Sequence, residues 1–299
     1  MLVVVALGGN ALLRRGESAD VEVQRRNVEL AVASIAGLAA DHRVVVTHGN
    51  GPQVGLLALQ AAAYRDATPY PLDVLGAESE GMIGYLLEQG LSGALPGVAA
   101  ATLLTQVIVD PGDAAFAAPT KPIGPVYDEL TARRLAGERR WVVAPDGNAW
   151  RRVVPSPEPV RIVELRTIRT LVDAGVLVVC VGGGGIPVVV GDDGALRGVE
   201  AVIDKDRSAA LLARELDADA LLLLTDVTAV EEGHGTSEAR PLRRLDVREF
   251  DLASLDAGSM RPKVQAAGSF ARTGRIAAIG SLADATRVLA GDAGTRVVA

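Results

Sequence analysis

The stretch RVVVTHGNGPQVGLLALQ, residues 43–60, runs from an apolar strand-like segment through Gly49, Asn50, Gly51 and Pro52 into a helix-like segment. The same passage recurs along the chain. LVVVAL leads to Gly8, Gly9 and Asn10, VLVVCV leads to Gly182 through Gly185, and ALLLLT leads to Asp226. Between these runs, VEVQRRNVELAVASIAGLAA and DRSAALLARELDA repeat apolar positions at helical spacing. Strands alternating with helices imply βα units, a mostly parallel sheet and right-handed crossovers. The expected fold class is therefore α/β, a three-layer αβα sandwich around a central mostly parallel sheet. Ligands of such sheets bind at the carboxyl ends of the strands, and all four loops fall there.

Composition narrows the function. The chain has 299 residues, enough for one large α/β domain or two tightly joined lobes. Hydrophobic residues make up 49% and aromatics only 3%, so the core is built from Val, Leu, Ile and Ala, a diet suited to buried parallel strands. A net charge of −7 argues against general nucleic-acid binding, while a local positive cluster can still hold a small anion. The single Cys180 excludes an intramolecular disulfide, and within VLVVCVG it reads as a packed core thiol. His42, His48 and His234 show no metal-ligand spacing. No apolar stretch approaches the length of a membrane span and the N-terminus is not a signal peptide. The expectation is a soluble cytoplasmic protein with no membrane partner.

Residues 111–160 differ from the rest. PGDAAFAAPTKPIGP precedes RRWVVAPDGNAWRRVVPSPEP, which reads as a β-hairpin turning at Asp146-Gly147 with Trp141 and Trp150 on its arms. Flanking prolines suggest a protruding flap; composition alone equally allows a long structural loop.

Glycine loops after strands serve anions, because the missing Cβ lets backbone N–H groups approach a phosphate and the following helix adds its positive end. The familiar nucleotide signatures are absent. No lysine follows glycine as a Walker A loop requires, and GNGPQVG is not G-x-G-x-x-G, because Gly55 comes one residue late.

Of 30 Lys plus Arg, only Lys121, Lys205 and Lys263 are lysines. Lysine is a compact ammonium on a flexible stem, arginine a rigid planar fork. Phosphoryl transfer needs mobile point charges, because its catalysis is mostly positioning and charge neutralisation. In a chain this rich in arginine, each surviving lysine is a candidate for such a role.

ALGGNALL, VVTHGNGPQVGLLALQ, PTKPIGPVYDE, VCVGGGGIPVV, GVEAVIDKDRSAALLA, LLLLTDV and GSMRPKVQAA together resemble the carbamate kinases of the amino acid kinase family. The resemblance covers nearly the whole chain and takes in all three lysines. It implies the amino acid kinase fold, with a carbamate- and carbamoyl phosphate-binding lobe over residues 1–195, including the flap, and a nucleotide-binding lobe over 196–299.

The implied reaction is ATP plus carbamate giving ADP plus carbamoyl phosphate, with Mg²⁺ held mainly through the nucleotide phosphates and no protein metal site. It is often run backwards after arginine catabolism. By motif, Gly8, Gly9, Asn10, Gly49, Asn50, Gly51, Gly182 and Gly183 would hold the carbamoyl and phosphate groups. Lys205 and Lys263 would contact the phosphates and Lys121 would close over the acceptor. Asp206 would orient the lysines, and Thr225, Asp226, Val227 and Met260 would border the nucleotide. Asp204 would aid the metal or cap a helix. A homodimer is also implied; LGAESEGMIGYLLEQGL would supply part of its interface or be an ordinary packed helix.

Carbamate already carries an anionic oxygen, so its attack needs no general base, and His48 reads as a structural or hydrogen-bonding residue. Arg207 reads as a solvated helix residue. One departure from the family pattern stands out: TAVEEGHGTSEARPL, after LTDV, has no aromatic residue to meet an adenine. Two other readings keep the fold. One is a kinase with another acceptor, an acylamino acid or a nucleoside monophosphate; the other is a non-catalytic nucleotide- or anion-binding protein.

Overall fold

The first strand divides its side chains between two cores. In β1 (Leu2–Leu7), Leu2, Val4 and Ala6 face one side and Val3, Val5 and Leu7 the other, and all six are buried. A strand buried on both faces needs helices on both, so the alternation of β1 already specifies three layers. The computed structural model describes residues 1–13, 17, 20–64, 68–256 and 258–299, leaving aside the side chains of Asn10 and Ala11.

After β1 the chain forms α1 (Gly9–Leu12), α2 (Val21–Ala39), β2 (Arg43–His48), α3 (Gly51–Ala63) and α4 (Leu72–Ala94). Next come β3 (Ala100–Thr102), β4 (Gln106–Val109), β5 (Lys121–Tyr127), α5 (Glu129–Arg139), β6 (Val142–Asp146), β7 (Ala149–Val154) and β8 (Pro159–Ile162). The chain continues through α6 (Leu165–Asp173), β9 (Leu177–Val179), β10 (Ile186–Val190), β11 (Leu196–Gly198), α7 (Lys205–Glu215) and β12 (Ala220–Thr225). It closes with β13 (Glu231–Glu232), β14 (Arg240–Pro241), β15 (Arg244–Asp246), α8 (Met260–Ala271), β16 (Ile276–Ser281), α9 (Ala285–Ala290) and β17 (Thr295–Val298).

Among the described residues, eight strands make the main sheet in the order β15-β17-β16-β12-β1-β2-β9-β3. The six from β16 to β3 are mutually parallel, and β17 runs antiparallel to β16. On one face Leu2, Val4 and Ala6 meet Ile168 and Val172 of α6, Leu212 of α7 and Phe270 of α8. On the other, Val3, Val5 and Leu7 meet Val28 and Ile35 of α2, Ile83 and Leu87 of α4 and Val288 of α9. Phe270, fully buried, shows the scale involved: truncation to Ala at such a position costs about 3–5 kcal/mol.

The excursion expected over 111–160 leaves and returns at paired strands, because β4 and β8 lie antiparallel in a second sheet ordered β11-β10-β4-β8. In between, β5, β7 and β6 form a three-stranded antiparallel sheet. The hairpin is present but its turn lies one residue later than expected. Asp146 pairs with Ala149, so Gly147 and Asn148 make the turn, with Gly147 at φ 62°, where a side chain would be strained. The step from 195 to 196 falls where the turn after β10 enters β11, and these two strands pair with each other.

The base of this excursion rests on α3 through two glycines. A Cβ on Gly55 would stand 1.9 Å from Cα of Gly124, itself at φ +72°. The glycine that comes too late for a dinucleotide fingerprint is there so that a strand can approach the helix.

Candidate active site

The four strands at the middle of the main sheet, β12, β1, β2 and β9, deliver the four loops side by side. Gly8 N–H donates to Leu224 O at 2.8 Å and Gly49 N–H to Leu7 O at 3.0 Å, which carries the β12–β1–β2 ladder into the loops. A Cβ on Gly49 would lie 2.9 Å from Gly9 N and 3.2 Å from Cδ of Lys205, so the first two glycine loops and this lysine meet at one point. A Cβ on Gly183 would fall 2.1 Å from Nδ2 of Asn50, which joins the second loop to the third. Gly51 opens α3 with free space where a Cβ would go. Asn10 lies in α1, and its side chain is outside the described residues.

The three lysines arrive from three elements. Lys121 begins β5, Lys205 begins α7, and Lys263 is in the first turns of α8. Lys263 Nζ donates to Asp206 Oδ2 at 2.8 Å, and Lys205 Nζ donates to Asp206 Oδ1. Lys121 Nζ donates to Asp204 Oδ2 at 2.8 Å. Asp204 also caps α7, its Oδ1 accepting from the N–H groups of Asp206 and Arg207 at 3.0 and 3.3 Å. Of the two roles open to Asp204 in the sequence, the structure shows the cap and adds an ion pair.

Burial and mutual charge set the protonation states. Burial would raise the Asp206 carboxyl, but Lys205 and Lys263 hold it below the usual carboxylate range. Burial likewise opposes ionisation of Asp204, and the Lys121 ammonium, with Lys205 and Lys263 behind it, holds that carboxyl well down. Lys205 is lowered to about 8, by burial first and by Lys263, against the pull of Asp206. Lys263 goes up, because Asp206 outweighs its burial. Three ammoniums face two carboxylates, so the ionised cluster carries one positive charge in excess. Its groups are largely buried: the side chains of Lys205 and Lys263 are each 11% exposed. An excess charge in so dry a place favours an anion strongly.

The nucleotide-side residues are less closely gathered. Thr225, at the end of β12, is buried, and its hydroxyl donates to Asp226 Oδ1 at 2.9 Å. Val227 follows half-buried. Met260 opens α8, three residues before Lys263, and packs on the core.

Two expectations about single residues come out differently. Arg207, a helix residue with a third of its side chain exposed, does more than face solvent: its guanidinium pairs with Glu158 Oε1 at 2.5 Å, and Glu158 N–H donates to Asp113 Oδ2 at 2.9 Å. The first turn of α7 is thus tied to the base of the flap. The Gly182 N–H is not turned outward for a ligand; it donates to Glu80 Oε1 at 2.6 Å. His48 is fully buried, its Nδ1–H donating to Gly49 O at 3.2 Å. Burial foremost lowers its pKa to about 4, so it stays neutral. Burial also pushes the Cys180 thiol up, as befits a core residue.

The amino acid kinase family profile matches residues 1–279. The chain is 55% identical to the carbamate kinase of Rhizobium meliloti (strain 1021), over 99% of this chain and 92% of that one. The chain belongs to the amino acid kinase family, among the carbamate kinases. The carbamate kinase of Escherichia coli (strain K12) is 49% identical over 98% of both chains. Among solved structures, carbamate kinase from Giardia lamblia bound to citric acid superposes with a TM-score of 0.92 at 42% identity, over 99% of this chain and 98% of that one. The same enzyme bound to AMP-PNP gives 0.88.

Sequence reasoning passed over Ser79, Glu80 and Thr105. Ser79 Oγ accepts from Asn50 Nδ2 at 2.8 Å, and Glu80 Oε2 accepts from Thr105 N–H at 3.1 Å. The signal was present in α4: both residues sit on the buried stripe with Leu72, Leu75, Ile83 and Leu87. A carboxyl group on such a stripe needs a partner, and burial foremost raises this one's pKa to about 8.

Proposed function

We propose that the cluster of Lys121, Lys205 and Lys263 around Asp204 and Asp206 carries phosphoryl transfer between ATP and carbamate, giving ADP and carbamoyl phosphate. The observation behind this reading is the convergence of the chain's three lysines beside the glycine loops at the carboxyl ends of β12, β1, β2 and β9. The reaction class, a phosphotransferase of the carbamate kinase type, follows from the relatives.

In this reading Gly8, Gly9, Asn10, Gly49, Asn50 and Gly51 surround the carbamoyl and transferring phosphoryl groups. Lys205 and Lys263, held apart on the two oxygens of Asp206, shift onto phosphoryl oxygens as charge moves from one side to the other. Groups aimed at developing charge are each worth on the order of 10²–10³ in rate. Lys121 approaches from β5 with Asp204 as its resting partner. The attacking oxygen is anionic in both directions, a carbamate oxygen or a β-phosphate oxygen of ADP, so no protein base takes a proton, in keeping with a buried neutral His48. Thr225, Asp226, Val227 and Met260 border the nucleotide. Residues 1–195 supply the acceptor side and 196–299 the nucleotide side.

Mg²⁺ belongs to this reading as an ion carried by the nucleotide phosphates, where it would neutralise charge. Asp204 and Asp206 are both engaged by lysines, and among the described residues no cluster of carboxylate, His and Cys ligands gathers for a metal.

A homodimer, a cytoplasmic location and a role after arginine catabolism belong to the same reading; exposed Val74, Met82 and Tyr85 on α4 offer apolar surface for a second copy. Among the described residues no helix is long and apolar enough to cross a membrane. The deciding experiment is ATP formation from carbamoyl phosphate and Mg-ADP, with acetyl phosphate as the competing donor. Folded protein that forms no ATP at millimolar carbamoyl phosphate would contradict the reading.

A further inference from the structure

The loop that follows β9 is bent in a way its sequence resists. Val181 lies at φ 54°, ψ 35°, a left-handed conformation that a β-branched residue almost never adopts. Gly183, Gly184 and Gly185 follow at φ 65°, 97° and 88°, where glycine is at ease. A strained residue persists only where its surroundings over-determine it. Here two side chains do so. Thr105 Oγ1 accepts the Val181 N–H at 3.0 Å, and Glu80 Oε1 accepts the Gly182 N–H at 2.6 Å. Thr105 is fixed in turn, its N–H bonded to Glu80 Oε2 at 3.1 Å and its carbonyl accepting from Ile186 N–H at 2.8 Å.

The neighbouring residue holds the other loop. Ser79 Oγ accepts from the Asn50 amide at 2.8 Å and donates to Gly76 O at 2.8 Å. That amide fills the place a Gly183 side chain would take. Two consecutive residues of α4 therefore grip the loops after β2 and after β9 and set their spacing. Glu80 is 1% exposed. A carboxyl group so buried, its pKa raised to about 8 by burial foremost, is an expensive way to fill space that an apolar side chain would fill better. The two oxygens that meet Gly182 and Thr105 are therefore what the position uses.

We propose that Glu80 is a positioning residue for the acceptor side of the site: it locks Val181–Gly185 in its left-handed turn and, with Ser79, fixes the distance between the two acceptor-side loops. This rests on the reading of those loops as the carbamoyl phosphate side. Positioning of this kind is steep, since misplacement by about 1 Å can cost about 10²-fold in rate.

The test compares wild type with Glu80→Gln, whose carboxamide cannot accept from both Gly182 and Thr105, and with Thr105→Val, which removes the acceptor for Val181. ATP formation gives kcat and KM for carbamoyl phosphate, and calorimetry gives the ADP dissociation constant. The expected result is a loss of about 10-fold or more in kcat/KM for carbamoyl phosphate, with ADP binding within about twofold of wild type. A lowered Tm with both substrates unaffected in the folded protein would make Glu80 merely structural and overturn the proposal. If Glu80→Gln does not fold, Thr105→Val decides on the same criteria. Wild type that forms no ATP would sink the carbamate kinase reading instead. Amide exchange then decides for Glu80: faster exchange confined to Val181–Gly185 in Glu80→Gln upholds the lock, and unchanged exchange removes it.

Discussion

Gly55 and Gly124 touch backbone to backbone, with 1.9 Å between the place of a Gly55 Cβ and the Gly124 Cα. GNGPQVG and PTKPIGP are thus two halves of one contact, and Lys121 reaches Asp204 from a strand seated on α3. Gly55→Ala drives a methyl into backbone that has no slack. The expected outcome is a stability loss of about 1–3 kcal/mol or more and a raised KM for carbamoyl phosphate, read from thermal unfolding and steady-state kinetics. Gly51→Ala is the contrast: its Cβ meets open space. There the Tm holds while the methyl crowds the acceptor pocket and raises the same KM. An unaffected KM in Gly51→Ala would move the pocket away from α3.

Lys121→Met leaves two ammoniums against two carboxylates and removes the positive excess. Asp204 keeps its cap on α7 but loses the ammonium that holds its mostly buried carboxyl ionised, the two side chains being only 23% and 18% accessible, so the Tm falls while the protein stays folded. Turnover falls on the order of 10²-fold while ADP, bound from the other side, keeps its affinity within about twofold. Equal losses for ADP and carbamoyl phosphate in calorimetry would contradict the placement of Lys121 on the acceptor side.

The pH dependence follows from Lys205. Its ammonium is held to about 8 in the free protein, so kcat/KM for carbamoyl phosphate falls as pH rises above about 8, by about tenfold per unit. Bound phosphate favours the ammonium, and the limb in kcat moves to higher pH. The sign for stability is opposite. Between about 8 and the ordinary 10.5 the unfolded chain holds the proton that the folded one has released, so this group's contribution to stability grows as pH rises through that window. A kcat/KM profile flat to pH 9.5 would show that the Lys205 ammonium is not needed.

Much of this was legible in the chain. Runs such as LVVVAL, RVVVTH and ALLLLT became β1, β2 and β12 because strands covered on both faces need unbroken apolar stretches. The small residues after them mark where the backbone must turn at the sheet edge. The three lysines could be picked out because arginine had taken every other positive position. What stayed hidden depended on partners distant in sequence. Nothing around Arg207 announces Glu158, and nothing in VCVGGGG shows that the Gly182 N–H turns inward to Glu80. The buried stripe of α4 did carry a sign, a serine and a glutamate in line with leucines, which only a residue-by-residue helical register exposes. Gly55 misleads when matched against a nucleotide fingerprint, because its purpose is packing against Gly124.

The most direct test of the central claim is the turnover of Lys205→Arg in ATP formation from carbamoyl phosphate and Mg-ADP, with ADP binding as the control for a folded site. Arg keeps the charge but replaces a compact ammonium with a planar fork beside Asp206, in space that Gly49 barely leaves open. The predicted result is a fall in kcat of about 10²–10³-fold in a protein that still folds and binds ADP, with a Tm lowered only by the cost of overpacking, about 1–3 kcal/mol. Near-wild-type turnover in that variant would contradict the claim that the cluster needs a lysine at this point.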